Sequence, residues 1–179
     1  MTGSSKPEIM ANKTKEAKIR PAKGATAQRI FLVMVDETEE MRVALRYAAL
    51  RARHTGGRVA LLFVIEPSEL KIWGGIEALQ RQESRAAAEA ALDSLSAEVN
   101  EISGSMPVVH IREGRRGPEL LALLDEEPGI SVLVMAAGTG PVGPGSLATT
   151  LIGKMNGAVR VPVTVVPGNL TPAQLAALA

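Results

Sequence analysis

Long apolar runs alternate along this chain with segments whose apolar residues recur at helical spacing. Arg29-Ile-Phe-Leu-Val-Met-Val35 is a continuous apolar, β-branched run, the pattern of a strand buried on both faces. Asp36-Glu37-Thr38 stops that strand and supplies a helix N-cap. Met41, Leu45, Ala48 and Ala52 then share one helical face, and Gly56-Gly57 ends the helix. Val59-Ala-Leu-Leu-Phe-Val-Ile65 is a second buried strand, closed by Glu66-Pro67. Beyond it, Ala88, Leu92, Leu95, Val99 and Ile102 step by 4, 3, 4 and 3 residues and paint one face of a helix that Gly104 stops. Val108 to Arg112 alternates as a third strand, and Gly117-Pro118 opens a short helix through Leu120, Leu121 and Leu124. Ile130 to Ala136 is a fourth buried strand. A glycine-rich loop, a helix from Ser146 to about Asn156 and the apolar run Val161 to Val166 complete the cycle.

Five strands alternating with four helices predict a doubly wound, mostly parallel five-stranded sheet of α/β class, with right-handed crossovers and helices on both faces. Such sheets take ligands beyond the carboxyl ends of their strands, where the strand order reverses. The loops after Val35, Val64 and Ala136 are therefore the expected site. One domain spans residues 29–168, preceded by a leader (1–28) and followed by a short helical tail (169–179).

Charge and composition refine this picture. The leader carries six Lys or Arg against two Glu, whereas acids outnumber bases 17 to 14 over the rest. Pro21, Gly24 and the lack of a periodic apolar face make the leader a flexible, solvated linker; it has no aromatic or arginine-rich cluster to mark nucleic-acid binding. With Phe31, Tyr47, Phe63 and Trp73 the only aromatic residues, the core must be aliphatic. Cysteine is absent, which removes disulfides, thiol nucleophiles and thiolate metal sites. No apolar run is long enough to span a membrane and no apolar signal segment opens the chain, so a cytoplasmic protein is expected.

Candidate chemistry concentrates in Gly138-Thr-Gly140-Pro-Val-Gly143-Pro-Gly145-Ser146, between a buried strand and a helix start. Glycines there let backbone N–H groups approach an anion, and the helix end adds partial positive charge. No Asp or Glu follows Glu127, and Lys154 and Arg160 are the only charges beyond it, so nothing in that segment repels a phosphate. The same stretch also reads as a simple connection stiffened by Pro141 and Pro144. It fits G-x-G-x-x-G formally, but after the fourth strand and without a following acid, which disfavours a nicotinamide site; the Walker phosphate loop is missing. His54 and His110 lack metal-ligand partners and read as structural. Glu39-Glu40 and Asp125-Glu126-Glu127 read as solvated helix ends. No catalytic constellation is visible, and an enzyme is not expected.

The layout resembles the universal stress protein family over Arg29 to Pro167. Four patterns carry the resemblance: Val35-Asp36 with Thr38; Leu61 to Pro67; Arg112-Glu113-Gly114 followed by Gly117-Pro-Glu-Leu-Leu121; and Val132 to Met135, Gly145-Ser-Leu-Ala148 and Pro162 to Pro167 in order. The resemblance implies a Rossmann-like fold of the adenine-nucleotide alpha-hydrolase kind and a stress-response regulator that acts by binding. It implies ATP or another adenine nucleotide as ligand, with Asp36 on base or ribose, the Val64 backbone on adenine, and Gly140, Gly143, Gly145 and Ser146 around the phosphates. It also implies a homodimer through the last strand. The family's nine-residue spacer before Gly-Ser is here reduced to Pro144, and neither Pro141 nor Pro144 has an N–H to donate. Two readings therefore stay open beside a distant enzymatic one: a nucleotide-binding regulator, and a dimeric interaction protein that needs no nucleotide.

Overall fold

The computed structural model of the chain describes residues 28–67, 76–139 and 157–179. Residues 1–27 of the leader, the helix predicted from Ser146 to Asn156, and Gly140, Gly143, Gly145 and Ser146 lie outside the described residues.

The elements are β1 (Ile30–Val35), α1 (Glu39–Thr55), β2 (Arg58–Ile65), α2 (Ile76–Ser103), β3 (Val108–Glu113), α3 (Arg116–Glu126), β4 (Ile130–Ala137), β5 (Val163–Pro167) and α4 (Pro172–Leu178). The five strands form one sheet in the order β3-β2-β1-β4-β5, and every neighbouring pair is parallel. From β1 the chain steps to β2 and β3 in one direction; from β4 it steps to β5 in the other. Right-handed crossovers then put α1 and α2 on one face and α3 on the other.

The two faces sort the alternating side chains of the strands. Phe31, Val33 and Val35 join Val59 and Leu61 against Ala44, Leu45 and Ala48 of α1 and Leu92, Leu95 and Val99 of α2. Leu32, Met34, Leu62 and Val64 face the other way, onto Leu120, Leu123 and Leu124 of α3. Helix α1 is well specified locally: the Met41 N–H donates to Thr38 Oγ1 at its start, and Gly56 ends it in the left-handed conformation.

Two element boundaries depart from the sequence pattern. The ladder of β5 begins at Val163 rather than Val161, because Pro162 has no N–H; its carbonyl still accepts from the Leu133 N–H at 2.9 Å. Helix α2 starts at Ile76, three turns before the apolar seam that opens at Ala88. Among the described residues, no helix is long and apolar enough to cross a membrane.

Candidate functional site

The carboxyl ends of β1 and β2 open into a cavity of about 500 Å³. Its floor is apolar, with Val35 and Met41 beside Phe63 and Leu95. One wall is the middle of α2, which presents Ser84, Ala87, Ala88, Ala91 and Ser94. These spacings keep small residues on one helical face, and their short side chains leave the volume empty. Asp36 and Val64, both singled out from the sequence, line this single cavity.

Asp36 is held in place by the turn that starts α1. Its Oδ1 accepts from the Thr38 N–H at 2.9 Å and from the Thr38 hydroxyl at 2.5 Å. The Thr38 oxygen in turn accepts from the Met41 N–H at 3.2 Å. One Asp36 oxygen is thus committed to the turn, which fixes the orientation of the carboxylate at the cavity wall.

Charge around the cavity is mostly negative. Glu37, Glu39 and Glu66 join Asp36, against Arg42 and Arg116. Both arginines are engaged. Arg42 Nη1 reaches Glu98 Oε2 at 3.3 Å, and Arg46 Nε reaches Glu98 Oε1 at 2.6 Å, which ties α1 to α2. Arg116 Nε lies 3.5 Å from Glu66 Oε2, which ties the start of α3 to the end of β2. The residues that sequence reasoning missed here are Glu66, Arg42 and Arg116, together with the small face of α2. The alanine-serine spacing was visible, but nothing marked it as facing Asp36.

The strand order reverses between β1 and β4, and there a side chain of the first turn of α1 makes a contact that the sequence did not show. Glu40, expected as a solvated helix end, reaches across from α1 to the residue that follows Gly138. Its Oε1 accepts from the Thr139 hydroxyl at 2.7 Å and from the Thr139 N–H at 3.2 Å. The Thr139 hydroxyl holds the Glu40 carboxyl below the usual carboxylate range, helped by the N–H groups of Glu40 and Thr139. Gly168, just past β5, makes room for this reach: a Cβ there would overlap Glu40 Cγ and Cβ and come within 2.8 Å of the Ala137 carbonyl oxygen. The segment beyond Glu127 is therefore free of carboxylates in sequence but not in space.

Arg160 is committed elsewhere. Although it is one of two cations after Glu127, it lies at the amino end of β5, away from the cavity. Its Nε donates to the Leu124 carbonyl at 2.6 Å and its Nη2 to the Glu127 carbonyl at 2.8 Å. It caps the carboxyl end of α3, where a cation complements the exposed carbonyls. Among the described residues, no group of three His, Asp or Glu stands close enough to hold a metal ion.

A model of the universal stress protein family matches residues 28–167. The chain belongs to the universal stress protein family. The doubly wound sheet agrees with solved structures of universal stress proteins. UspA from Lactobacillus plantarum superposes with a TM-score of 0.67 at 19% identity, over 80% of this chain and 99% of its own. A universal stress protein solved in complex with cAMP gives 0.51 at 17% identity, over 79% and 98% of the two chains. One from Archaeoglobus fulgidus, in complex with dAMP, gives 0.50 at 20% identity, over 77% and 96%. At these identities the likeness establishes the fold. No curated protein matches the sequence significantly.

Proposed function

We propose that this universal stress protein is a regulator that binds an adenine ligand in the cavity between β1 and β2 and acts by binding, not by turnover. The observation that carries the reading is the cavity itself: about 500 Å³, with an apolar floor and the oriented Asp36 carboxylate at its wall. A flat heteroaromatic ring is matched by Phe63, Val64 and the small face of α2. A ribose hydroxyl or exocyclic amine is matched by the Asp36 oxygen that Thr38 leaves free. The complexes of relatives with cAMP and dAMP support an adenine ligand. Gly140, Gly143, Gly145 and Ser146 are assigned to its phosphates by family resemblance. The lack of an acid–base pair near the glycine-rich loop supports binding over turnover, and the cytoplasm is proposed as its location.

Calorimetric titration with adenosine, AMP and ATP tests the reading. At least one should bind, and Ala91→Leu, which fills the cavity from the solvent-exposed side of α2, should abolish that binding while leaving the melting temperature unchanged. Asp36→Ala should weaken all bound ligands alike, by about 1.5–3 kcal/mol if the lost bond is charge-assisted. Wild-type protein that binds none of the three at millimolar concentration would sink the reading. The open edge of β5 then favours the second one, an interaction protein that works through its dimer surface.

A further inference from the structure

We infer that the apolar cavity between β1, β2 and α2 is a docking groove for the chain's own basic leader, residues 1–27. This goes beyond the adenine reading and is tested with no small ligand present, so the two stand or fall separately.

Three observations converge on this occupant. The first is charge. Asp36, Glu37, Glu39 and Glu66 line the cavity with two arginines. Among the described lining residues both arginines are engaged, Arg42 by Glu98 and Arg116 by Glu66, and the rim is net negative. The leader has the opposite sign, with six Lys or Arg against two Glu. The second observation is polarity. Behind the acidic rim the floor is apolar, and α2 contributes a wall of short alanine and serine side chains. In the leader, Ala17 and Ile19 alternate with Lys18 and Arg20. Apolar side chains flanked by cations match an apolar floor ringed by carboxylates.

The third observation is reach. Gln28 Nε2 donates to the Gly56 carbonyl at 3.2 Å, so the leader ends at the foot of α1. The other end of that helix lines the cavity. The 17 residues of α1 make it about 25 Å long. Extended, Pro21 to Gln28 spans about 26 Å, which brings Lys18, Ile19 and Arg20 level with the rim. A tethered segment acts at high effective concentration, so contacts that are weak one by one suffice. The acidic run Asp125-Glu126-Glu127 is a poorer host, because Arg112 already pairs with Glu126 and Arg160 caps the helix end beside it. The leader then competes with anything else that enters the cavity, and it lowers the apparent affinity by the fraction of chains that are self-occupied.

Because the chain has no cysteine, Ala17→Cys places a nitroxide label at one known position of the full chain. In ¹⁵N-labelled protein at low salt, the amide signals of Glu37 to Arg42 and of Ser84 to Ala91 should broaden. They should sharpen again in 1 M NaCl, where the screening length falls to about 3 Å. Lys18→Glu with Arg20→Glu should abolish the broadening, and so should Glu37→Lys with Glu39→Lys. Combining the two pairs should restore it, which misfolding of either pair cannot imitate. Mixing nitroxide-labelled protein of natural isotope content with ¹⁵N-labelled wild type should leave the rim signals sharp, because each leader serves its own cavity. Broadening in that mixture, broadening centred on Asp125 to Glu127, or no broadening at the rim overturns the inference. So does rim broadening that neither salt nor charge reversal removes.

Discussion

Arg160 and His110 show how single side chains are committed at places far from the cavity. The Arg160 guanidinium reaches the carbonyls of Leu124, Ile130 and Glu127, so one planar fork closes α3 and ties it to the start of β4. Arg160→Ala should cost about 1–2 kcal/mol in urea unfolding, as expected for a cation lost from a helix carboxyl end. Arg160→Lys should recover only part of that, because one ammonium cannot span three carbonyls. His110 sits on β3 facing α3, and burial pushes its imidazole below the ordinary value of 6.5; Glu127 opposes this and Arg112 reinforces it. The unfolded chain therefore takes up a proton before the folded one does. Stability present above pH 6.5 is lost as the pH falls towards the depressed value. Melting curves across this range should slope downward towards acid, and His110→Gln should flatten the slope. A slope unchanged by the substitution would place its origin elsewhere.

Among the elements, the strands were the most legible in sequence. β1, β2 and β4 lie inside the sheet with helices on one face or the other, so nearly every position is apolar and the run reads unbroken. β3 alternates because it is an edge, with Val109 exposed and Arg112 paired to Glu126 of α3. Helix α2 was legible only from Ala88 onward. From Ala78 to Ala87 its side chains line an open cavity or face solvent, so they carry no apolar seam to set a period. The Glu40–Thr139 contact was invisible for a different reason: the two residues are 99 positions apart, and only the topology brings α1 against the end of β4. Helix α4 is short, yet it is pinned at both ends. Thr171 and Gln174 cap each other reciprocally, and Arg51 of α1 donates to the Ala179 carbonyl at 3.1 Å. Its one buried side chain, Leu175, completes the core on the α1 face. Leu175→Ala should therefore cost about 2–3 kcal/mol in denaturant unfolding, within the range for a buried leucine truncated to alanine. A loss below half a kcal/mol would mean that α4 only rests on the surface.

At the scale of the whole molecule, the sheet has two unlike edges. β3 ends one side with ion pairs to its neighbouring helices, through Arg112 to α3 and Glu113 to Arg81 of α2. β5 ends the other with the short apolar run Val163 to Val166, which carries no charge. An uncharged edge invites pairing with a second copy, and the expected outcome is a homodimer through β5. Val163→Lys combined with Val165→Lys should shift sedimentation from dimer towards monomer; a wild type that is monomeric at micromolar concentration would rule the dimer out. The strand order has a consequence for how the chain is made. Because β1 is central while β4 follows only after three other strands and three helices, a nascent chain that has emerged as far as Glu127 holds β1, β2 and β3 in place with one side of β1 still bare. During that interval the backbone of Phe31 to Val35 is the chain's most adhesive surface, a transient edge that the finished protein does not show. Ribosome pausing before Ala137 would prolong its exposure, and the speed of translation through the β3–β4 segment becomes a determinant of soluble yield.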